Sequence, residues 1–177
     1  MAKKASKEKK AKNKTGKSKK SKVRAEDVVC DMARLARLMR SAEHELGLNP
    51  AQWEALRFLA RCNADSNSPI ALTRYLGATK GTISQTVIAL VNKGLVSKSS
   101  RPGERRSVIL TLTARGQKML KQDPWKRVER AFKKKGPKKQ RRVAKVLAEL
   151  LDEELAVRAA NGQSAWPSAQ FFGKIRS

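Results

Sequence analysis

Residues 72–116 read LTRYLGATKGTISQTVIALVNKGLVSKSSRPGERRSVILTLTARG, and this stretch decides the fold of the chain. The pattern predicts a helix that starts after the capping residue Ser68 and ends at Gly77, because glycine suits the left-handed turn that closes many helices. A second helix is predicted from the cap Thr79, followed by a strand, a basic loop over residues 101–106 and a second strand with alternating apolar residues. This order of elements predicts a winged helix-turn-helix, which places one helix in the major groove of DNA.

A more specific pattern lies in four short segments. They are residues 48–53 (LNPAQW), 79–84 (TKGTIS), 90–96 (LVNKGLV) and 104–116 (ERRSVILTLTARG). These segments resemble the MarR family of dimeric bacterial transcription regulators, and the resemblance extends over about residues 28–155. The chain departs from the family pattern at the wing, where Arg101 occupies a position that is often acidic and Glu104 replaces the usual aspartate.

The resemblance implies a fold that is mainly α with a small β-wing, in which the terminal helices form a dimer. Apolar residues recur at helical spacing over residues 24–46 and 143–155, on either side of the winged unit. This periodicity equally fits an intramolecular bundle that covers one core. The expected segments are a disordered tail (1–22), an N-terminal dimerisation helix (23–47), the winged helix-turn-helix (48–122), C-terminal dimerisation helices (123–160) and a tail packed on the dimer lobe (161–177).

The chain is strongly basic. Its 41 lysines and arginines against 15 acids give a net charge of +26, which favours a polyanionic partner such as nucleic acid. Residues 1–22 hold eleven lysines and one glutamate with no large apolar residue after Met1, so this tail is expected to be disordered. It either adds sequence-independent contacts to DNA phosphates or serves only to keep the protein soluble.

The helix that begins after Thr79 is the expected recognition helix. At 100° per residue, four of its apolar residues cluster on one side and are predicted to face the core: Ile83, Val87, Leu90 and Val91. The residues predicted to contact DNA from the two helices of the motif are Lys80, Gly81, Thr82, Ser84, Gln85 and Arg74.

Each of these residue types has a chemical reason to meet DNA. The amide of Gln85 can pair bidentately with adenine, Thr82 offers a hydroxyl or a methyl group, and Lys80 can reach a guanine or a phosphate. Gly81 permits close approach of the backbone, and the hydroxyl of Ser84 suits a phosphate. The alternative for every polar residue is an ordinary solvated helix face.

The wing is the second expected DNA contact. The resemblance implies that Arg106 enters the minor groove, where an arginine senses a narrow width and a negative potential. Glu104 is expected to hold the loop by pairing with a nearby arginine. Arg101 and Arg105 are expected to contact phosphates, as is Arg74 from the first helix of the motif. The alternative is a charged hairpin without a partner.

A second basic cluster lies near the turn before the last helix. It admits three interpretations: contact with flanking or second-duplex DNA, binding of an anionic effector, or a solvated face. The sequence does not separate them. Its members are Lys126, Arg127, Arg130, Lys133, Lys134, Lys135, Lys138, Lys139, Arg141 and Arg142.

Other kinds of site are not indicated. The sequence shows no paired catalytic residues, phosphate-binding glycine loop or metal-ligand set, so an enzyme, a cofactor and a metal centre are not expected. Cys30 and Cys62 lack a paired spacing, and the apolar neighbours of Cys30 favour packing over redox sensing. No apolar run reaches the length of a membrane span, which favours a cytoplasmic, nucleoid-associated protein. The resemblance implies a small anionic or phenolic effector, whose identity the sequence leaves open.

The expected function is sequence-specific transcription regulation by a homodimer. A two-fold dimer presents two recognition helices about one DNA turn apart, so its target is expected to be a pseudo-palindrome. The resemblance implies repression as the commoner mode, while the position of the site relative to a promoter decides between repression and activation. The alternative is an architectural or global DNA-binding protein with weak sequence preference, in which the lysine tail and the second basic cluster dominate.

Overall fold

The computed structural model describes residues 23–101 and 104–162, without the side chains of Arg101 and of residues 104–107. The lysine tail (1–22) and the chain from residue 163 therefore lie outside the described residues. Seven α-helices and a two-stranded sheet make up the part of the chain that the structure describes. They are α1 (Ala25–Ser41), α2 (Pro50–Leu59), α3 (Pro69–Leu76), α4 (Lys80–Asn92), β1 (Val96–Arg101), β2 (Glu104–Leu112), α5 (Ala114–Lys121), α6 (Trp125–Lys133) and α7 (Pro137–Ala160), with a short 3₁₀ helix (Ala42–His44) after α1.

Side-chain caps fix the starts of the central helices. Asn49 accepts a hydrogen bond from the amide of Gln52, whose side chain accepts in turn from the amide of Asn49. Ser68 caps α3 and Thr79 caps α4, each by accepting one hydrogen bond of 3.2 Å from a backbone amide, as the sequence predicts. Gly77 ends α3 with a φ of 59°, a left-handed conformation that favours glycine. The mainly helical class with a small β-wing is thereby confirmed.

The core lies between α2, α3, α4 and the two-stranded sheet. Trp53 is fully buried, and its indole N–H donates to the backbone carbonyl of Glu43 at 2.9 Å, which satisfies its polar atom. Tyr75 extends the aromatic packing to α3, since its ring centre lies 4.8 Å from that of Phe58. Other large apolar side chains with less than 2% exposure are Leu56, Leu72, Ile83, Leu90, Leu95 and Leu110.

The wing is an antiparallel hairpin. β1 pairs regularly with β2 from Val96 to Ser100, and an irregularity follows before Arg101. Strand pairing continues to Arg101 and Glu104, so the hairpin loop is shorter than the predicted loop over residues 101–106. Backbone pairing extends into this segment although its composition is that of a loop.

Main-chain hydrogen bonds tie the wing to the helices. The amide of Leu110 in β2 donates to the carbonyl of Asn67, just before α3, at 2.7 Å. The amide of Thr113 donates to the carbonyl of Leu95 at the base of the wing, at 3.1 Å. Backbone hydrogen bonds therefore help to fix the wing relative to α3, together with the buried side chain of Leu110.

The outer helices α1 and α7 flank the winged unit and contain no buried residue. None of the described helices is long and apolar enough to cross a membrane. The apolar faces of α1 and α7 border a groove of about 540 Å³. Its lining includes Val28, Met32, Leu35, Val143, Val146 and Leu150.

Gly116 provides a test of how α5 fits against the wing. A Cβ atom at this position would lie 2.1 Å from the carbonyl oxygen of Leu95. Gly116→Ala is therefore expected to lower the free energy of unfolding by roughly 2 kcal/mol or more, because the clash is with backbone that cannot move cheaply. Urea unfolding followed by circular dichroism measures the change.

Gly81→Ala is the matched control, because a Cβ atom there meets only the hydroxyl of Thr79, at 3.9 Å. Alanine in place of glycine within an exposed helix should raise the free energy of unfolding by roughly 0.5–1 kcal/mol. Equal unfolding midpoints for the two variants would show that the contact between α5 and the wing does not constrain the fold.

Candidate nucleic-acid interface

α4 has a buried side and an exposed side. Its buried residues are Ile83, Thr86, Val87 and Leu90. Its exposed residues include the five that the sequence predicts to contact DNA, which are Lys80, Gly81, Thr82, Ser84 and Gln85. Arg74 on α3 is also exposed. All six predicted contact residues of the two helices therefore reach solvent.

Threonine hydroxyls order the first turns of α4. Thr79 Oγ1 accepts from the amide of Thr82 at 3.2 Å and lies 2.9 Å from the hydroxyl oxygen of the same residue. Thr86 donates its hydroxyl to the carbonyl of Thr82 at 2.9 Å, which satisfies a polar group on the buried side. Gln85 makes no side-chain hydrogen bond with the residues that the structure describes, so its amide is available to a ligand.

Val91 corrects one expectation about α4. The sequence analysis placed this residue on the buried side, which was wrong, because its side chain is 36% exposed. The buried stripe ends at Leu90, and the next residue lies about 100° further around the helix, at the edge of the stripe. Thr86 is buried on this side although it is polar, because its hydroxyl is hydrogen-bonded within the helix.

An apolar groove of about 430 Å³ lies beside α4, between the start of α3 and β1. Ile70 and Ile88 line it and are 62% and 49% exposed, while Lys98 of β1 lies at the same groove. Neither isoleucine was predicted as a contact, because the predicted DNA contacts of α3 and α4 were polar residues and glycine. The sequence did contain an indication of them, because both isoleucines fall outside the stripe of residues that faces the core. An apolar side chain on this part of a recognition helix suits contact with the methyl group of thymine.

The wing carries the remaining predicted contacts. The backbone of Arg101, Arg105 and Arg106 belongs to the paired strands, while their side chains lie outside the described part of the chain. The side chain of Glu104 lies outside it as well, so its pairing with an arginine stays a prediction.

Behind the motif, Arg57 of α2 is the centre of a buried ionic cluster. Its guanidinium donates two hydrogen bonds of 2.7 Å to Asp123 and a further one to Glu43. Asp123 also accepts from the amide of Trp125 at 2.8 Å, and the Trp125 ring centre lies 3.6 Å from the guanidinium carbon. The sequence analysis did not find this cluster. Its one local signal was an arginine on a helix whose neighbouring residues are mostly buried.

Hydrogen bonding keeps the guanidinium of Arg57 charged. Burial alone lowers the pKa of Arg57, but its hydrogen bonds to Asp123 and Glu43 outweigh that effect and hold the pKa above its ordinary value. Burial raises the pKa of the neighbouring Glu54, and the negative charge of Glu43 adds to the rise. A charged guanidinium shared by two buried carboxylates thus connects the 3₁₀ helix, α2 and the junction between α5 and α6.

A cleft of about 760 Å³ opens beside this cluster, between the winged unit and the outer helices. Cationic groups and aromatic rings in one cleft suit a small anionic or phenolic molecule. Its lining includes Leu35, Arg57, Lys121, Trp125, Phe132 and Leu147.

The two cysteines differ in their surroundings. Cys30 is exposed on α1, which corrects the expectation that it is packed, because α1 has no buried residue in this single chain. Cys62 is half-buried, and burial raises the pKa of its thiol, which disfavours the reactive thiolate. Among the described residues, no group of three or more His, Cys, Asp or Glu side chains is placed to hold a metal ion.

Comparison with known proteins identifies the winged unit. A family model described as MarR family matches residues 46–107, which run from the start of α2 to the wing. The winged unit of this protein is therefore similar to MarR-family domains. Members of the MarR family are transcription regulators and not enzymes. No match is found among curated proteins.

Solved MarR-family structures share the fold. One Staphylococcus aureus MepR variant is 15% identical over 74% of this chain and 98% of its own, with a TM-score of 0.59. A second MepR variant, bound to an oligodeoxyribonucleotide, is 14% identical over 75% and 99%, with a TM-score of 0.53. NadR in complex with 4-hydroxyphenylacetate is 23% identical over 73% and 94%, with a TM-score of 0.52. At these identities the likeness is one of fold.

The buried cluster predicts a large effect of one substitution. Arg57→Met removes the cation and leaves Glu43 and Asp123 without their partner. The free energy of unfolding is expected to fall by about 3–5 kcal/mol, because an uncompensated buried charge is costly. Chemical denaturation measures this loss.

Arg158→Met is the matched control, since it breaks an exposed pair of 3.0 Å with Glu154 on α7. It should change the free energy of unfolding by less than about 1 kcal/mol. A similarly small loss in Arg57→Met would show that the cluster does not hold α2 to the junction between α5 and α6.

Proposed function

We propose that this protein is a sequence-specific DNA-binding transcription regulator that acts as a homodimer and represses where its site overlaps a promoter. The observation that carries the proposal is the capped start of α4, which exposes Lys80, Thr82 and Gln85 on a helix whose other side is buried. This arrangement is the one by which helix-turn-helix proteins read the major groove. The second MepR variant, of the same fold, is bound to an oligodeoxyribonucleotide, which supports DNA as the partner.

Base readout is assigned to the first turns of α4. The unengaged amide of Gln85 pairs with adenine, and Lys80 contacts a guanine or a phosphate. Gly81 allows the backbone to approach the base edges, while Ser84 and Arg74 contact phosphates and fix the orientation.

The wing is assigned to the neighbouring minor groove. Arg106 enters the groove, and Arg101 and Arg105 contact the phosphates on either side. The main-chain bond between Leu110 and Asn67 supports this assignment, because it fixes the hairpin next to the helix-turn-helix.

A second copy of the chain is the proposed partner of α1 and α7. Both helices expose large apolar side chains, and a monomer rarely leaves so extended an apolar face in water. Leu151, Leu38 and Val146 are 60%, 55% and 53% exposed. A two-fold pairing through these helices presents two copies of α4 about 34 Å apart, so the target site is a pseudo-palindrome.

A small anionic or phenolic molecule is the proposed effector. The cleft beside Arg57 combines cations with the rings of Trp125 and Phe132. The complex of NadR with 4-hydroxyphenylacetate supports this class of ligand. A ligand that competes for Arg57 would change the link between α2 and the outer helices, and so favour a different separation of the two α4 helices.

An architectural role is the second candidate function. It is favoured by the net charge of +26 and by the exposed basic residues of α6 and α7. A steep salt dependence with little difference between selected and random DNA would identify such a protein.

Gln85→Ala tests base readout. The affinity for duplexes enriched from a random library should fall about tenfold, because a bidentate contact is worth roughly 1–3 kcal/mol, while the affinity for random duplexes should change little. Fluorescence anisotropy on both duplexes at one salt concentration measures the two effects. Gln122→Ala, at the exposed end of α5, is the control and should leave both affinities unchanged. Equal losses on both duplexes would exclude base readout by Gln85.

Val146→Glu tests the dimer. A carboxylate on the apolar face of α7 should convert a species of twice 19.7 kDa into one of 19.7 kDa, because the charge would be buried on pairing. Size-exclusion chromatography with light scattering measures the mass. Lys145→Gln is the control, because it removes one unit of positive charge from the adjacent residue, whose side chain is 80% exposed. It should leave the mass unchanged. A dimer that persists in Val146→Glu would place the interface elsewhere.

A further inference from the structure

A second basic surface lies on α6 and the first turns of α7. Its ten cationic residues are all exposed, and only one acidic residue, Glu129, occurs in the same seventeen-residue stretch, 126–142. Nothing in the reading of DNA by α4 and the wing uses it. We call it the α6–α7 basic surface.

Most of its charge is not neutralised by the residues that the structure describes. Glu129 pairs with Lys126 at 2.7 Å and with Lys133 at 2.8 Å, and its hydrogen bonds to these two lysines lower its pKa to about 2. The remaining eight cations make no ion pair with any residue that the structure describes. The surface therefore keeps a high density of positive charge that no described carboxylate balances.

Three of the cations share one face of α6 and of the residue that follows it. At 100° per residue, Arg127, Arg130 and Lys134 point away from the side of α6 that carries Trp125 and Phe132. Those two rings line the cleft that faces α2 and α5. The basic face of α6 is therefore directed away from the winged unit.

Helix stability does not account for these charges. α7 begins with Lys138, Lys139, Arg141 and Arg142 and has no acidic residue in its first turn. Cations near a helix N-terminus oppose the helix dipole, and they repel one another within a Debye length of about 8–10 Å. The arrangement becomes favourable when a polyanion covers it.

The direction of the basic face of α6 indicates a duplex other than the one read by α4. Gly116 lies against the base of the wing, and α5 and α6 lead the chain from there to Lys133. A straight duplex held by α4 does not follow a surface that is directed away from the winged unit.

We propose that the α6–α7 basic surface binds the phosphate backbone of a second DNA duplex, so that one regulator joins two DNA segments. The proposal goes beyond the proposed function, since it adds a sequence-independent site on the outer helices. Double-stranded DNA fits better than a lipid surface, because the large apolar residues of α6 line the cleft and do not lie on the basic face. It fits better than single strands, because the basic face carries no aromatic ring on which bases would stack.

The test is a bridging experiment with the full-length protein. A duplex enriched for binding is tethered to beads, and a labelled duplex of random sequence is supplied in solution. The wild-type protein should retain the labelled duplex. The triple variant Arg127→Gln, Lys134→Gln and Lys138→Gln should retain at least fivefold less label per molecule of bead-bound protein. The control triple variant Arg37→Gln, Lys118→Gln and Arg158→Gln removes the same charge from other exposed positions and should stay within twofold of the wild type.

Three outcomes would overturn the proposal. The first is full retention of the labelled duplex by the α6–α7 variant. The second is a parallel loss of protein from the tethered duplex, which would mean that the surface holds flanking DNA of the same molecule. The third is displacement of the labelled duplex by single-stranded RNA at a lower nucleotide concentration than by duplex DNA. If Gln85→Ala leaves the affinity for the tethered duplex unchanged, base readout by Gln85 is contradicted. That result does not contradict the bridging proposal, because the retention of the labelled duplex does not depend on Gln85.

Discussion

Arg57 joins the winged unit to the outer helices through two buried carboxylates. Glu43 follows α1 in the chain and Asp123 precedes α6, so one side chain on α2 holds both ends of the winged unit. Trp53 and Trp125 lie over the same guanidinium, with ring centres at 5.7 Å and 3.6 Å from its carbon. Because α2 also packs against α4, the direction of the exposed side of α4 relative to the outer helices depends on this cluster.

The central fold could be predicted because its signals are local. Ser68, Thr79 and Gly77 each act within one turn of a helix, and the same residues occupy the same roles in the structure. The cluster around Arg57 could not be predicted in this way. Its two carboxylates are 14 and 66 residues distant in sequence, and no periodic pattern links positions so far apart.

The sequence predicted which side of α4 is exposed, but it did not predict every residue on that side. Helical periodicity gives the side of α4 that faces the core, but the neighbouring elements decide how wide the buried stripe is, and Val91 falls outside it. Ile88 was missed because only polar residues of α4 and a glycine were considered as DNA contacts. Cys30 was expected to be packed because its neighbours are apolar, yet it is exposed in this single chain. Local patterns carry no information on which surface a second molecule covers.

The main-chain bond between Leu110 and Asn67 bears on how such a regulator can change its target during evolution. No side chain takes part in it, so substitutions of exposed residues on α4 or on the hairpin leave this bond in place. Under the proposed function, α4 and the hairpin would keep a fixed spacing along the DNA. New binding preferences can accumulate one residue at a time, with no insertion or deletion needed to restore the alignment.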